Sequence, residues 1–151
     1  MRPLLAILLL LPVLSLAAAT AKDLEGRWEV DQEATWERLQ QDPQLAAQIA
    51  GMPAEHQATV KTMVLTQMGR MAWTLTDGTA EITEPDGTVR SSTWAVTTTD
   101  GDTFTIETKD ATNVTRSGTL TVDGERLIAK GFRDAKAAGQ PDPGVVMKRA
   151  K

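Results

Sequence analysis

The side chains best equipped for chemistry are few and poorly spaced for it. The 151 residues contain one histidine, His56, and no cysteine. A serine nucleophile would have to join His56 to Ser91, Ser92 or Ser117, and no nucleophile-elbow pattern surrounds any of the three. His56 lies in Ala54-Glu55-His56-Gln57, on the surface of an expected helix, where an exposed histidine needs no catalytic explanation. Glu81, Glu84 and Glu107 fall in or beside expected strands and are the only candidates for paired-carboxylate glycoside hydrolysis. Asp77, Asp86, Asp100 and Asp123 each precede a glycine, where aspartate tolerates positive φ and hydrogen-bonds its own turn. Asp100-Gly101-Asp102 is too short for a calcium loop. Met63, Met68 and Met71, with Met52 and His56 nearby, offer soft ligands for Cu(I). Their spacing is equally that of an apolar helical stripe running into a strand, where methionine fills gaps. The expectation is a protein that is not an enzyme and carries no metal or cofactor.

Trp36, Trp73 and Trp94 are more informative, because each stands where an apolar side chain should face inward. With Leu45, Ile49 and Phe104 they would line a cavity for a small apolar or amphipathic ligand, with threonine hydroxyls or Arg90 or Arg116 orienting a polar head. The same tryptophans would serve equally to fill a solid core. Asn113-Val114-Thr115 is a glycosylation acceptor only in a eukaryotic secretory host.

These residues need elements to position them. Asp23 to Val30 reads as a first strand, and Asp31 as the cap of a short helix with Trp36 and Leu39 on one side. Asp42-Pro43 starts a second helix carrying Leu45, Ala46, Ile49 and Met52, broken by Gly51 and Pro53. A third helix, from about Pro53 to Gln67, sets Val60, Met63, Val64 and Met68 opposite Glu55, Gln57 and Lys61. From Arg70 the period becomes two: Met71, Trp73 and Leu75 alternate with polar or small residues up to Asp77-Gly78. Ala80 and Ile82, Trp94 and Val96, Phe104 and Ile106, then Val114 to Val122 mark four further strands, separated by Asp-Gly turns except near Lys109-Asp110. Arg126 to Phe132 is another, residues 133–144 form a long loop, and Val145 to Arg149 is the last. Eight strands, each with one apolar face, at mostly 8–12-residue spacing fit an antiparallel up-and-down barrel. The two or three helices fall between strands one and two and are expected to cap one end. Gly26-Arg27-Trp28 opening the first strand and Arg149 ending the last point to a sheet that closes on itself, guanidinium over indole.

Residues 1–21 read as a signal peptide: Arg2, an apolar stretch from Leu4 to Leu16, and small-x-small cleavage sites after Ala19 or Ala21. Residues 22–151 then form one domain. The stretch is shorter than a bilayer span, so no membrane insertion is expected after cleavage. A periplasmic location fits best, with an extracellular one as the alternative. The formal charge of −4, with no basic run, argues against nucleic acid as a partner.

Together these residues resemble the small bacterial exported lipocalin-like (calycin-type) domains, which begin with Gly-x-Trp, carry Asp-Gly hairpins and end in an apolar-Lys-Arg strand. The matches are Gly26, Trp28, Asp86-Gly87, Asp100-Gly101-Asp102, Asp123-Gly124 and Met147-Lys148-Arg149. The resemblance implies that Trp28 plugs the barrel floor with Arg149 packed over it, Arg133 being a rival for that place. The helical insert departs from a true lipocalin and is more similar to the helical lid of fatty-acid-binding proteins. The expected function is non-enzymatic binding of a small apolar or amphipathic molecule. The alternative is a filled barrel acting as a structural or interaction module for an envelope protein.

Overall fold

The computed structural model describes residues 19–132 and 141–151. Within them, eight strands close into an antiparallel barrel in chain order: β1 (Gly26–Val30), β2 (Ala72–Thr76), β3 (Thr79–Thr83), β4 (Val89–Asp100), β5 (Thr103–Asp110), β6 (Thr115–Asp123), β7 (Arg126–Lys130) and β8 (Val145–Arg149). Each strand pairs with its sequence neighbour, and β8 returns to pair with β1 through Trp28↔Arg149, Glu29↔Lys148 and Val30↔Met147. Four of the hairpins turn on glycine, and the β5–β6 hairpin turns on Asn113. Gly78, Gly87, Gly101 and Gly124 have φ of 71°, 87°, 57° and 62°, which a residue without Cβ adopts freely. The aspartates before them were expected to share that conformation. Among the described residues, however, Asn113 is the only non-glycine with positive φ. Aspartate's part is hydrogen bonding, as where Asp86 Oδ1 accepts from the Thr88 amide at 2.8 Å.

The first strand is shorter than its alternation implies. Ala21–Leu24 form a helical turn, α1, because the Asp23 carboxylate accepts from the Thr20 amide at 2.6 Å and the Thr20 hydroxyl at 2.9 Å. The turn swings Leu24 under the barrel, where it is fully buried and its carbonyl accepts from Trp28 Nε1 at 2.7 Å. Arg149 covers the other side of that indole at 4.4 Å from its centroid, and donates to the carbonyls of Glu25 (2.8 Å) and Asp23 (2.7 Å). Gly26 makes this approach feasible: a Cβ there would stand 2.7 Å from Arg149 Nη1, and its φ is +127°. Arg133 lies outside the described residues, as does most of the long loop.

The insert comprises α2 (Gln32–Gln41), α3 (Pro43–Ala50) and α4 (Ala54–Met68). Asp31 accepts from the Ala34 amide, and Asp42 from the amides of Gln44 and Leu45, so both caps sit where their sequence signals lie. Docking of α2 depends on Thr35. Its buried hydroxyl donates to the Val146 carbonyl and accepts from the Val146 amide, each at 3.0 Å. Where β1 turns away at Asp31, this hydroxyl and the Asp31 amide (2.9 Å) take over pairing with the Val146 backbone. The third helix uses its apolar side less than expected. No residue of α3 or α4 is buried, and Met63 is 53% exposed, because α4 packs on α2 and turns only Met68 toward the barrel core.

Candidate functional site

The barrel interior changes character along its length. At the α1 end, Trp28, Leu75, Ala80, Trp94, Phe104, Ile106, Leu120 and Leu127 form a solid core with Leu24. Two residues further along each strand the inward positions turn polar. On β4 the order is Trp94, Ser92, Arg90; on β5 it is Ile106, Thr108, Asp110; on β6 it is Leu120, Gly118, Arg116. A cavity of about 520 Å³ occupies this upper half. Its wall is Trp73, Ile82, Ala129, Val145 and Met147 with Ser92 and Thr108, and its mouth carries Glu84, Arg90, Asp110, Arg116 and Asp142. Leu39 of α2 and Met68 of α4 reach the mouth.

The charges at the mouth are organised in pairs. Arg90 meets Glu84 at 3.4 Å, and Arg116 meets Asp110 at 3.5 Å. Asp110 is also fixed by its own hairpin, accepting from the Thr112 hydroxyl (2.7 Å), the Thr112 amide (2.9 Å) and the Val114 amide (3.0 Å). The Thr112 hydroxyl, then the backbone donors and the Arg116 charge, hold the Asp110 carboxyl below the ordinary carboxylate value despite some desolvation. Asp142 accepts from the amides of Gly131 (2.8 Å) and Gly144 (3.1 Å), tying the end of β7 to the start of β8.

Phe132 crosses the lumen. Its ring lies so close to Gly118 that a Cβ there would fall 2.6 Å from it, and it meets Trp73 edge to face with centroids 5.0 Å apart. Gly118 is on β6 and Trp73 on β2, opposite each other in a ring of eight, so the phenyl–indole pair spans the barrel. The Trp73 indole is 4% exposed, and its Nε1 has no hydrogen-bond acceptor among the described residues.

Of the residues expected to line a cavity, Trp73 does so. Trp94 and Phe104 belong to the solid half, and Trp94 Nε1 donates to the Thr76 carbonyl at 2.7 Å. Trp36 is buried on α2 with the Lys61 ammonium 5.7 Å from its ring centroid, while Leu45 and Ile49 are half-buried on α3; none of the three borders the cavity. Arg90 and Arg116, expected to orient a polar head, both stand at the mouth. The wall also uses Ile82, Thr108, Phe132 and Met147, which the sequence reading did not assign to it. Counting inward positions in twos from Trp94 and Ile106 would have found Ser92, Arg90, Thr108 and Asp110. Phe132 gives no such signal, since Gly131 (φ 88°) breaks the alternation just before it.

Glu81 and Glu107 are on the outer face of the barrel and exposed, apart from Glu84 at the mouth. His56 is exposed on α4. Met68 and Met71 border the cavity while Met63 faces solvent, and no group of three His, Cys, Asp or Glu side chains is placed to hold a metal among the described residues. Among them no helix is long and apolar enough to cross a membrane. The fold defines a class: a closed eight-stranded antiparallel barrel, compatible with a lipocalin-like fold and solid at one end only. No protein-family model, curated protein or solved structure matches the chain.

Proposed function

We propose that this protein is an exported lipocalin-like binder that holds one small amphipathic molecule, without chemical turnover, in the upper half of its barrel. The observation that carries the reading is the cavity of about 520 Å³ with an apolar wall and a charged mouth. Sites for small molecules have this volume and this mix of apolar lining with a few convergent polar groups. The leader-like residues 1–21 support export, to a periplasm in the first instance. The apolar part of the ligand lies against Trp73, Ile82, Phe132 and Met147, and its polar end reaches the Ser92 and Thr108 hydroxyls and the two arginines. Leu39 and Met68 make α2 and α4 the elements that gate entry. Titration with an environment-sensitive dye should give a saturable change in tryptophan emission at micromolar concentration. Ala129→Trp, which fills the hollow half, should remove it. A flat wild-type titration over all probes would sink this reading.

A second reading, an interaction module for an envelope protein, draws on the exposure of α3 and α4 and of Met63. One stoichiometric partner in a pull-down, lost on Met63→Lys, would favour it.

A further inference from the structure

We propose that the ligand of the hollow half is an uncharged amphiphile with a hydrogen-bonding head, such as an alcohol or glycerol ester, and not a fatty acid or other anionic lipid. The inference rests on the proposal that the cavity holds a ligand, and concerns the mouth. Each arginine there already has a carboxylate beside it, Glu84 at 3.4 Å from Arg90 and Asp110 at 3.5 Å from Arg116. An anionic head reaching either guanidinium must displace that carboxylate or lie next to it. Asp110 cannot be displaced cheaply, since three donors from residues 112 and 114 hold it within 3.0 Å. Glu84, whose side chain is 32% exposed, can swing away, but only by giving up its ion pair. Like charges brought together at a half-desolvated mouth repel more strongly than in water. A cationic head would have to lie beside the two guanidiniums while the carboxylates there are already engaged, Glu84 and Asp110 with the arginines and Asp142, the third, with the Gly131 and Gly144 amides. A neutral head escapes both penalties, and the next layer inward supplies what it needs above an apolar wall: the Thr108 hydroxyl, which donates and accepts, and the Ser92 hydroxyl, which accepts while donating to the Ala80 carbonyl at 3.4 Å.

The test compares probes with one dodecyl chain and three heads, each kept below its aggregation concentration: monododecanoylglycerol, dodecanoate and dodecyltrimethylammonium. Binding is read by tryptophan emission and by calorimetry at low salt. The neutral probe should bind saturably and dodecanoate about tenfold more weakly, a gap that narrows as salt rises. Glu84→Gln, which releases Arg90, should narrow the gap at low salt while leaving the circular dichroism spectrum unchanged. Dodecanoate or the ammonium probe binding as tightly as the neutral one would overturn the inference and leave the cavity reading standing, as would a gap that Glu84→Gln does not move. If no probe binds, the cavity reading itself fails, and this inference with it.

Discussion

Two tryptophans facing the same lumen have opposite hydrogen-bonding fates. Trp28 Nε1 donates to the Leu24 carbonyl at 2.7 Å, which ties the floor turn to the first strand. Trp73 Nε1 is buried with no acceptor among the described residues, and an unsatisfied buried donor costs about 1–3 kcal/mol. Substitution by phenylalanine should therefore separate them. Trp28→Phe leaves the Leu24 carbonyl without its donor and the Arg149 guanidinium over a poorer ring, and should destabilise by about 2–4 kcal/mol. Trp73→Phe removes a donor that bonds to nothing in the described structure, and should cost less than half as much. Urea unfolding of the two variants beside the wild type checks the order; equal losses would mean that the Trp73 N–H is satisfied.

At the scale of elements, the Thr35 side chain ties the helical insert to the backbone of the barrel, beside the Arg38 hydrogen bond to the Pro143 carbonyl. Thr35 is the partner of the Val146 amide and shares the Val146 carbonyl with the Asp31 amide, and it is wholly buried. Thr35→Val keeps the shape but strands the Val146 amide, while the Val146 carbonyl keeps the Asp31 amide, so a loss of about 1–3 kcal/mol is expected and Thr35→Ser should stay within about 1 kcal/mol of wild type. Hydrogen exchange adds a test of place: the Val146 amide should lose protection in the valine variant first. The elements also show what the sequence made legible. Asp31 and Asp42-Pro43 mark helix starts by a local mechanism, and the alternation of Met71, Trp73 and Leu75 marks a strand by period alone, so both could be read without the fold. Leu24 alternates with Gly26, Trp28 and Val30 and reads as strand, yet the Thr20–Asp23 hydrogen bonds make it a helical turn. The pairing of Thr35 with Val146 spans 111 positions, and no short-range pattern announces it.

For the molecule as a whole, acid should act through a few carboxylates. Asp23 is held below its ordinary value of 3.8 by the Thr20 amide and then its hydroxyl, Asp86 by the amide and hydroxyl of Thr88, and Asp110 by the Thr112 hydroxyl and its neighbours. A carboxyl depressed on folding contributes stability that is fully present above the unfolded value and lost as pH falls through the lower folded one. Urea midpoints should therefore be insensitive to these groups from pH 7 to 5 and fall below about pH 4, with a shallower fall in Asp110→Asn. The cavity was the least legible part of the molecule. Inward alternation is the same in a filled barrel and a hollow one; what separates them is the change from Trp94, Ile106 and Leu120 to Ser92, Thr108 and Gly118 one layer higher, with Phe132 entering from beyond β7. Arg149 next to Trp28 was the easier long-range expectation, because the two lie at the ends of the outermost strands and a closed sheet must bring those together.

That seam also sets an order of events. The hydrogen bonds from Arg149 to Glu25 and Asp23 reach across 124 and 126 positions, while every other strand seam joins neighbours in the chain. The six strands β2 to β7 can meander together through short-range contacts, β1 joins β2 only across the helical insert, and the ring cannot shut until β8 arrives. Closing this seam is therefore expected to be the most entropically costly step of folding, and a chain whose segment Val145–Arg149 is held back should expose two unpaired sheet edges.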